Sequence, residues 1–335
     1  MEIIPLDRDD DVLLKGIFGM CTRSEQVSRV HPVRRTFEEF ASGVRFAYPG
    51  EREEAVVAIA DGEPVGWARL YLPQRDNLEK CWAELTVDPD HRGAGVGSTL
   101  VAWVEERARA NGRSMLLAEV FVPVSQRESH PDRRFVLRRG YRVSSVEIVR
   151  TLPLPLDEAL LSREEQRSTA AMGDHYDVTL HVDGVPERLR QGVCDCSNRL
   201  ILDAPTGDVD FEPETMTVQD YQTNLDHFRE SGRTLLTAVA VHRESGVVAA
   251  YSDLAYPVGD PDIVFQWGTL VLPEHRGHRL GMAVKVANLR QLARVAPDRV
   301  TIQTMNDEQN PWMVEINIDL GFVVTEEALS VAIDL

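Results

Sequence analysis

Two apolar stretches, Ala55–Ala60 and Pro64–Leu70, flank the pair Asp61-Gly62. An Asp-Gly turn between apolar runs predicts a β-hairpin. Upstream, Met1–Leu6 alternates as a short strand, and Asp11–Met20 and Thr36–Phe46 carry helical periodicity, punctuated by Pro32 and Pro49. Cys81–Val87 reads as a strand, and the apolar residues Leu100, Val101, Val104 and Ala108 place a helix after it. Met115–Val122 is the next strand, and Gly140-Tyr141 opens another.

This succession recurs. Pro89, His91, Arg92, Gly93 and Gly97 reappear as Pro273, His275, Arg276, Gly277 and Gly281, each 184 positions further on. The same offset aligns Gly62–Leu70 with Gly246–Leu254 and Leu116–Val120 with Val300–Thr304, ungapped from residue 62 to about 120, which is the signature of a duplicated unit. After the second copy, Met282, Val286, Leu289 and Ala293 repeat the helical spacing. A chain of 335 residues accommodates two domains. We place the first at 1–155, a linker at 156–174 and the second at 175–335. Thr151–Leu156 is Pro-rich and the stretch through Gly173 is polar, with room for one short helix. The predicted fold class is α/β, an α+β mixed sheet flanked by helices in each domain.

Both copies run strand, Gly-containing turn, helix. Such a turn leaves backbone N–H groups at the positive end of a helix, a site suited to a diphosphate. The spacing Arg92, Gly95, Gly97 matches the Arg/Gln-x-x-Gly-x-Gly/Ala signature of the GNAT superfamily of acyl-CoA-dependent N-acyltransferases, which the chain resembles. Arg276 and Gly281 match too, but Arg279 replaces the middle glycine. The resemblance covers nearly the whole chain and is strongest to two-domain GNAT proteins of actinobacteria, a group that includes mycothiol synthase-type architectures.

That resemblance implies acetyl-CoA as cofactor and two tandem GNAT-like domains. It implies strand contacts to the pantetheine arm from Leu85, Thr86 and Val87, and from Leu270 and Val271. It places the diphosphate on Arg92, Gly93, Ala94, Gly95, Val96, Gly97 and Ser98, with Arg276, Gly277, His278, Arg279, Leu280, Gly281 and Met282 as the second loop. Asn306 and Asn310 are implied as cofactor-contacting amides, although Asn310 before Pro311 also reads as a helix N-cap. Glu84, a carboxylate in an apolar strand, is the implied general base, with pairing to an arginine such as Arg69, or a place in solvent, as the structural alternative. The family's usual acid tyrosine is replaced by Val136 and Asn317. The loop Leu202–Asp210 is implied near the acceptor.

Composition narrows the partners. The net charge of −18 argues against nucleic acid and anionic membranes and suits a small amine. No apolar run reaches the roughly 18 residues of a membrane span, and the acidic N-terminus is unlike a signal peptide. Four cysteines point to a reduced, cytoplasmic protein. Cys194 and Cys196 lack a second ligand pair at zinc spacing, so no metal is expected. The expected activity is acetyl transfer to a primary amine of a small molecule, such as a secondary metabolite or antibiotic, by a monomer or homodimer. Two alternatives stay open: an acyl-CoA-binding accessory protein with decayed domains, and a protein N-acetyltransferase.

Overall fold

The computed structural model describes residues 1–203, 207–213 and 215–335. Of the loop Leu202–Asp210, residues 204–206 lie outside the described residues. The chain begins with β1 (Glu2–Pro5), α1 (Asp11–Ser28), α2 (Phe37–Arg45), β2 (Glu51–Ala60), β3 (Glu63–Pro73) and β4 (Lys80–Val87). There follow α3 (Val96–Ala110), β5 (Met115–Pro123), α4 (Pro131–Arg138) and β6 (Arg142–Pro153). Next come α5 (Glu158–Met172), β7 (Tyr176–Val182), α6 (Glu187–Asp203), α7 (Val218–Glu230), β8 (Arg233–His242) and β9 (Val248–Pro257). The last elements are β10 (Ile263–Val271), α8 (Leu280–Val295), β11 (Thr301–Asp307), α9 (Pro311–Asp319) and β12 (Val323–Asp334).

Local chemistry sets several boundaries. The Asp10 carboxylate accepts from the N–H groups of Val12 and Leu13 and starts α1. Asp61 and Gly62 both take positive φ, +52° and +86°, as a two-residue hairpin turn requires. Thr217 and Asp220 form a reciprocal capping box at the start of α7.

The contacts divide the chain into two compact units. The first comprises Met1–Glu147, Thr206–Asp210 and Thr325–Leu335; the second comprises Ile148–Pro205 and Phe211–Val324. In the first unit the strands run β1-β2-β3-β4-β5-β12, with the start of β6 at the edge beyond β12. β5 and β12 pair antiparallel from Met115↔Asp334 to Pro123↔Glu326. One face of this sheet packs on α3 through Leu100, Val101 and Val104, with Leu329 and Val331 of β12 in the same core. The other face packs on α1 and α2 through Leu14, Ile17, Phe40 and Trp67. Burying each such aliphatic side chain contributes about 1.5–3 kcal/mol.

The second unit orders its strands β11-β10-β9-β8-β7, with the later part of β6 beside β11. Val286, Leu289 and Leu292 of α8 cover one face of its sheet. Leu189, Val193, Tyr221 and Leu225 of α6 and α7 cover the other.

These units depart from the expected boundaries: the first ends at Glu147 rather than at 155, and it takes in Thr206–Asp210. The chain's last strand lies in the first unit, not the second. The segment 156–174, expected as a linker, is mostly the 15-residue helix α5, capped by Asp157. Its buried residues Leu161, Glu164, Ser168 and Met172 recur at helical spacing, but two of the four are polar, so the stretch reads as linker by composition. No helix among the described residues is long and apolar enough to cross a membrane.

Candidate active site

In the first unit, β4 and β5 are parallel neighbours only from Lys80↔Met115 to Ala83↔Ala118. Beyond that row β4 stays with β3 as far as Val87↔Gly66, while β5 stays with β12. The strands therefore fork. Glu84 and Glu119 are the first unpaired residues on the two arms. The backbone of Glu84–Val87 borders the gap with no β5 partner, so it can accept an extended ligand as an added strand would pair.

Side-chain alternation decides what faces the fork. Leu85 and Val87 on β4 and Val120 and Val122 on β5 turn into the α3 core. Glu84, Thr86, Glu119 and Phe121 face the opposite side, towards α1. There the Cys21 thiol bonds the Thr86 side chain, and burial pushes that thiol up to about 12. Arg29, at the end of α1, stacks 3.7 Å over the Phe121 ring and donates to Glu326 at 2.9 Å.

Glu84 is tethered. The Tyr71 hydroxyl donates to it at 2.8 Å, and Arg69 Nη1 lies 3.6 Å away. Arg69 is itself clamped on Glu53 at 2.9 and 2.6 Å. Burial, then the Glu84 charge, raises the Tyr71 hydroxyl pKa well above the usual range. The ion pairing with Arg69 that the sequence left as an alternative for Glu84 is thus present.

Glu119 is different. Solvent reaches its side chain, yet surrounding protein displaces much of its water. That desolvation first, then the charge of Glu147, pushes its carboxyl up to about 7; Glu84 adds to the rise and Arg29 opposes it. The sequence reading missed Glu119. The signal was available: like Glu84, it is a lone carboxylate in an apolar strand.

Past β4, a single 3₁₀ turn (Pro89–His91) leads to Arg92 and the loop Gly93-Ala94-Gly95. Gly93 and Gly95 have φ of +80° and +91°, and a Cβ at either would meet open space. Gly95 caps α3 without a side-chain hydrogen bond, so the N–H groups of Val96, Gly97 and Ser98 are left for a ligand. A Cβ at Gly97 would lie 3.3 Å from Phe135, so this glycine permits close packing of the helix. These features fit a diphosphate. The Arg92 guanidinium does not project outward: its Nη2 donates to Ser24 and Ser28 of α1, at 2.8 and 3.0 Å, and ties the loop to that helix.

The second unit repeats the frame with different fittings. β10 and β11 pair to Phe265↔Gln303 and then part. β10 bulges between Gln266 and Thr269, and the Gln266 side chain fills the bulge by donating to Asp253 O at 2.7 Å. Leu270 and Val271 pair with Tyr251 and Ala250. A Cβ at Gly268, the counterpart of Glu84, would meet the Tyr251 hydroxyl at 2.4 Å. In the loop, Arg276 Nε donates to Val271 O at 3.3 Å, and Gly277 has φ +88°. His278 packs against Tyr176. Arg279 holds φ +53°, a conformation L-residues adopt at some cost. Leu280, Gly281 and Met282 open α8 and are buried.

Asn306 stands at the end of β11 and Asn310 at the start of α9, as the resemblance implies. Asn306 is buried; its Oδ1 accepts from Arg150 at 3.1 Å and Asn317 at 2.9 Å, and its Nδ2 donates to Asp307 O. Lys285 donates to Asn317 at 2.8 Å. Both ends of the Asn306 amide thus take part in a buried network within the protein. Asn310 caps α9 by accepting from Met313 N–H at 3.2 Å, as its position before Pro311 suggested. Val136 packs against the α3 core, and Asn317 sits beside Lys285, so neither replaces a catalytic tyrosine.

Comparison with known proteins agrees with this frame. The acetyltransferase (GNAT) family profile matches residues 23–140, which span the fork and the glycine loop. Over 100 residues the chain is 36% identical to an aminoalkylphosphonate N-acetyltransferase of Salmonella typhimurium, covering 29% of this chain. The chain spans only 61% of that relative's length. Among solved structures, a tandem GNAT protein from the clavulanic acid biosynthesis pathway superposes with TM-score 0.81 at 24% identity, covering 99% of this chain and 98% of its own. A GCN5-related N-acetyltransferase from Sphaerobacter thermophilus gives TM-score 0.66 at 16% identity, covering 99% and 95%. Residues 23–140, with their forked strands and the glycine loop before α3, are thus the part of the chain that matches the acetyltransferase (GNAT) family, and the chain as a whole shares its fold with a tandem GNAT protein.

Proposed function

We propose that the first unit transfers an acetyl group from acetyl-CoA to a primary amine of a small molecule. The observation that carries this is the fork at Glu84 and Glu119, which leads along β4 into a glycine loop with open space over Gly93 and Gly95. Backbone groups of Leu85, Thr86 and Val87 would hold the pantetheine arm. The amides from Gly93 to Ser98 would hold the diphosphate, with Arg92 bracing the loop from behind. Glu84 and Glu119, on the face opposite α3, attract an ammonium and disfavour an anion at the reacting centre. The four cysteines are unpaired, which suits the cytoplasm.

The second unit acts in this reading as a scaffold that does no chemistry. Tyr251 fills the place of the strand carboxylate, and the Arg279 side chain is committed to Glu164. Whether the second loop also holds cofactor is read by the same experiment. Calorimetric titration with acetyl-CoA compares the wild type with Gly95→Trp and Gly281→Trp, beside an assay of CoA release with small primary amines that include 2-aminoethylphosphonate. Loss of binding and turnover with Gly95→Trp alone is expected. A wild type that binds no acetyl-CoA sinks the proposal, and turnover lost only with Gly281→Trp moves the chemistry to the second unit.

A further inference from the structure

We propose that Glu119 on β5, and not Glu84 on β4, takes the proton from the acceptor amine in the first unit. The inference deepens the acetyl-transfer reading and rests on it. Both carboxylates stand at the mouth of the fork, but they are differently occupied. Glu84 already accepts from Tyr71 at 2.8 Å and lies 3.6 Å from Arg69. It is a fixed negative charge that can hold an ammonium near the thioester. Among the described residues no hydrogen-bond donor or cation is paired with the Glu119 carboxylate. Its oxygens are free to receive a proton.

The surroundings of Glu119 are mostly acidic or neutral. Glu84 faces it from β4 and Glu147 from β6. Ser330 stands opposite on β12. The cation that opposes this charge at Glu119 is Arg29, whose guanidinium also donates to Glu326 at 2.9 Å, while Arg69 lies beside Glu84 and is clamped on Glu53. From α1 come Glu25, whose carboxyl burial raises, and the Cys21 thiol, which stays protonated. With desolvation added, this environment poises the Glu119 carboxyl at about 7, where a general base works best near neutral pH.

The duplication supplies an internal control. The offset that aligns the two glycine loops places Gln303 at the position of Glu119. Gln303 lies at the last paired row before the second fork, is 94% buried, and leaves its Nε2 without a partner among the described residues. An amide cannot accept the ammonium proton. Acid in one copy and amide in the other confine this chemistry to the first unit.

The step balances as follows. The acceptor arrives as an ammonium and gives one N–H proton to the Glu119 carboxylate. The freed nitrogen lone pair forms the C–N bond at the thioester carbonyl carbon. The C–S bond breaks with its electron pair on sulfur, and sulfur takes a second proton from the nitrogen. The products are the amide and free CoA thiol, and Glu119 returns its proton to water.

The test uses the full chain, acetyl-CoA and 2-aminoethylphosphonate within a panel of small primary amines. Glutamine is isosteric, and Gln303 shows that the fold accepts it at this position. For Glu119→Gln, kcat should fall by about 10²–10⁴-fold, with the affinity for acetyl-CoA unchanged. The ascending limb of kcat/KM against pH, which rises as Glu119 deprotonates near pH 7, should vanish. Glu84→Gln should raise KM for the amine and keep that limb, and Gln303→Met should alter neither. Infrared difference spectra of wild type against Glu119→Gln should show a carboxyl titrating in the same range. The assignment is overturned if Glu119→Gln keeps both kcat and the limb, if Glu84→Gln abolishes the limb, or if no such carboxyl titrates. A titrating carboxyl in a wild type that binds acetyl-CoA but acetylates no amine would instead refute the acetyl-transfer reading, and the role of Glu119 with it.

Discussion

Arg279 Nη2 lies 3.0 Å from Oε2 of Glu164, a carboxylate with 1% side-chain exposure. The residue that interrupts the second glycine loop is thereby bound to helix α5, the segment the sequence presented as a linker. Burial by itself would raise the Glu164 pKa; hydrogen bonds from Arg163 and Arg167 and the charge of Arg279 outweigh it and hold the carboxyl low. Arg279 combines this ion pair with a left-handed backbone, φ +53°, that costs roughly 1–2 kcal/mol.

Two substitutions separate these terms. Arg279→Gly relieves the strain and loses the ion pair, so it should change stability by about 1 kcal/mol or less. Arg279→Ala loses the pair and keeps the strain, and should fall about 1 kcal/mol below the glycine variant. Chemical denaturation of the three proteins checks the order; an alanine variant as stable as the glycine one would refute it.

In the first unit Arg29 and Glu326 form a buried ion pair. Glu326 also accepts from Val30 N–H at 2.8 Å, and its side chain has no solvent exposure. Arg29→Ala would strand that charge and should cost about 3–5 kcal/mol. Thermal unfolding reads this directly. Arg29→Ala/Glu326→Gln should recover part of the loss, since the stranded charge goes with the second change.

Residues Thr325–Leu335 belong to the first unit although they end the chain. A chain stopped at residue 155 would lack β12, leaving the β5 edge from Met115 to Pro123 unpaired and Leu329 and Val331 missing from the core. We expect such a fragment to aggregate or to lose tertiary circular dichroism. A soluble fragment with a cooperative melt would show that another segment can replace β12.

Lys285 is fully enclosed, with 2% exposure, and desolvation lowers its ammonium pKa to about 7. The unfolded chain therefore binds more protons than the native one between pH 7 and the unfolded value of 10.5. By linkage, stability from this group rises with pH across that window, by about 3–5 kcal/mol in total. Lys285→Met should flatten the slope. Denaturant midpoints from pH 7 to 10 test it, and an unchanged slope would place the charge elsewhere.

Much of the candidate site was legible because it depends on short-range backbone chemistry. Gly93, Gly95 and Gly97 announce a turn that needs positive φ and close helix packing, and Asn310 before Pro311 announces a cap. Glu119 was as visible as Glu84, but nothing local distinguishes a strand carboxylate tied to Tyr71 from one left without a partner. Asn306 had the right residue type, and only the packing of β6 and α9 shows that its amide oxygen accepts from Arg150 and Asn317.

The sequence by itself determined the duplication, the element order from the hairpin through β5, and the glycine loop with its helix, since periodicity, turn residues and spacing are local properties of the chain. Tertiary structure alone decided that β12 pairs with β5, that β4 and β5 part at Glu84 and Glu119, and that α5 is a packed helix. Strand partners and carboxylate environments arise from residues distant in the chain, whose burial and charge appear only when folding brings them together.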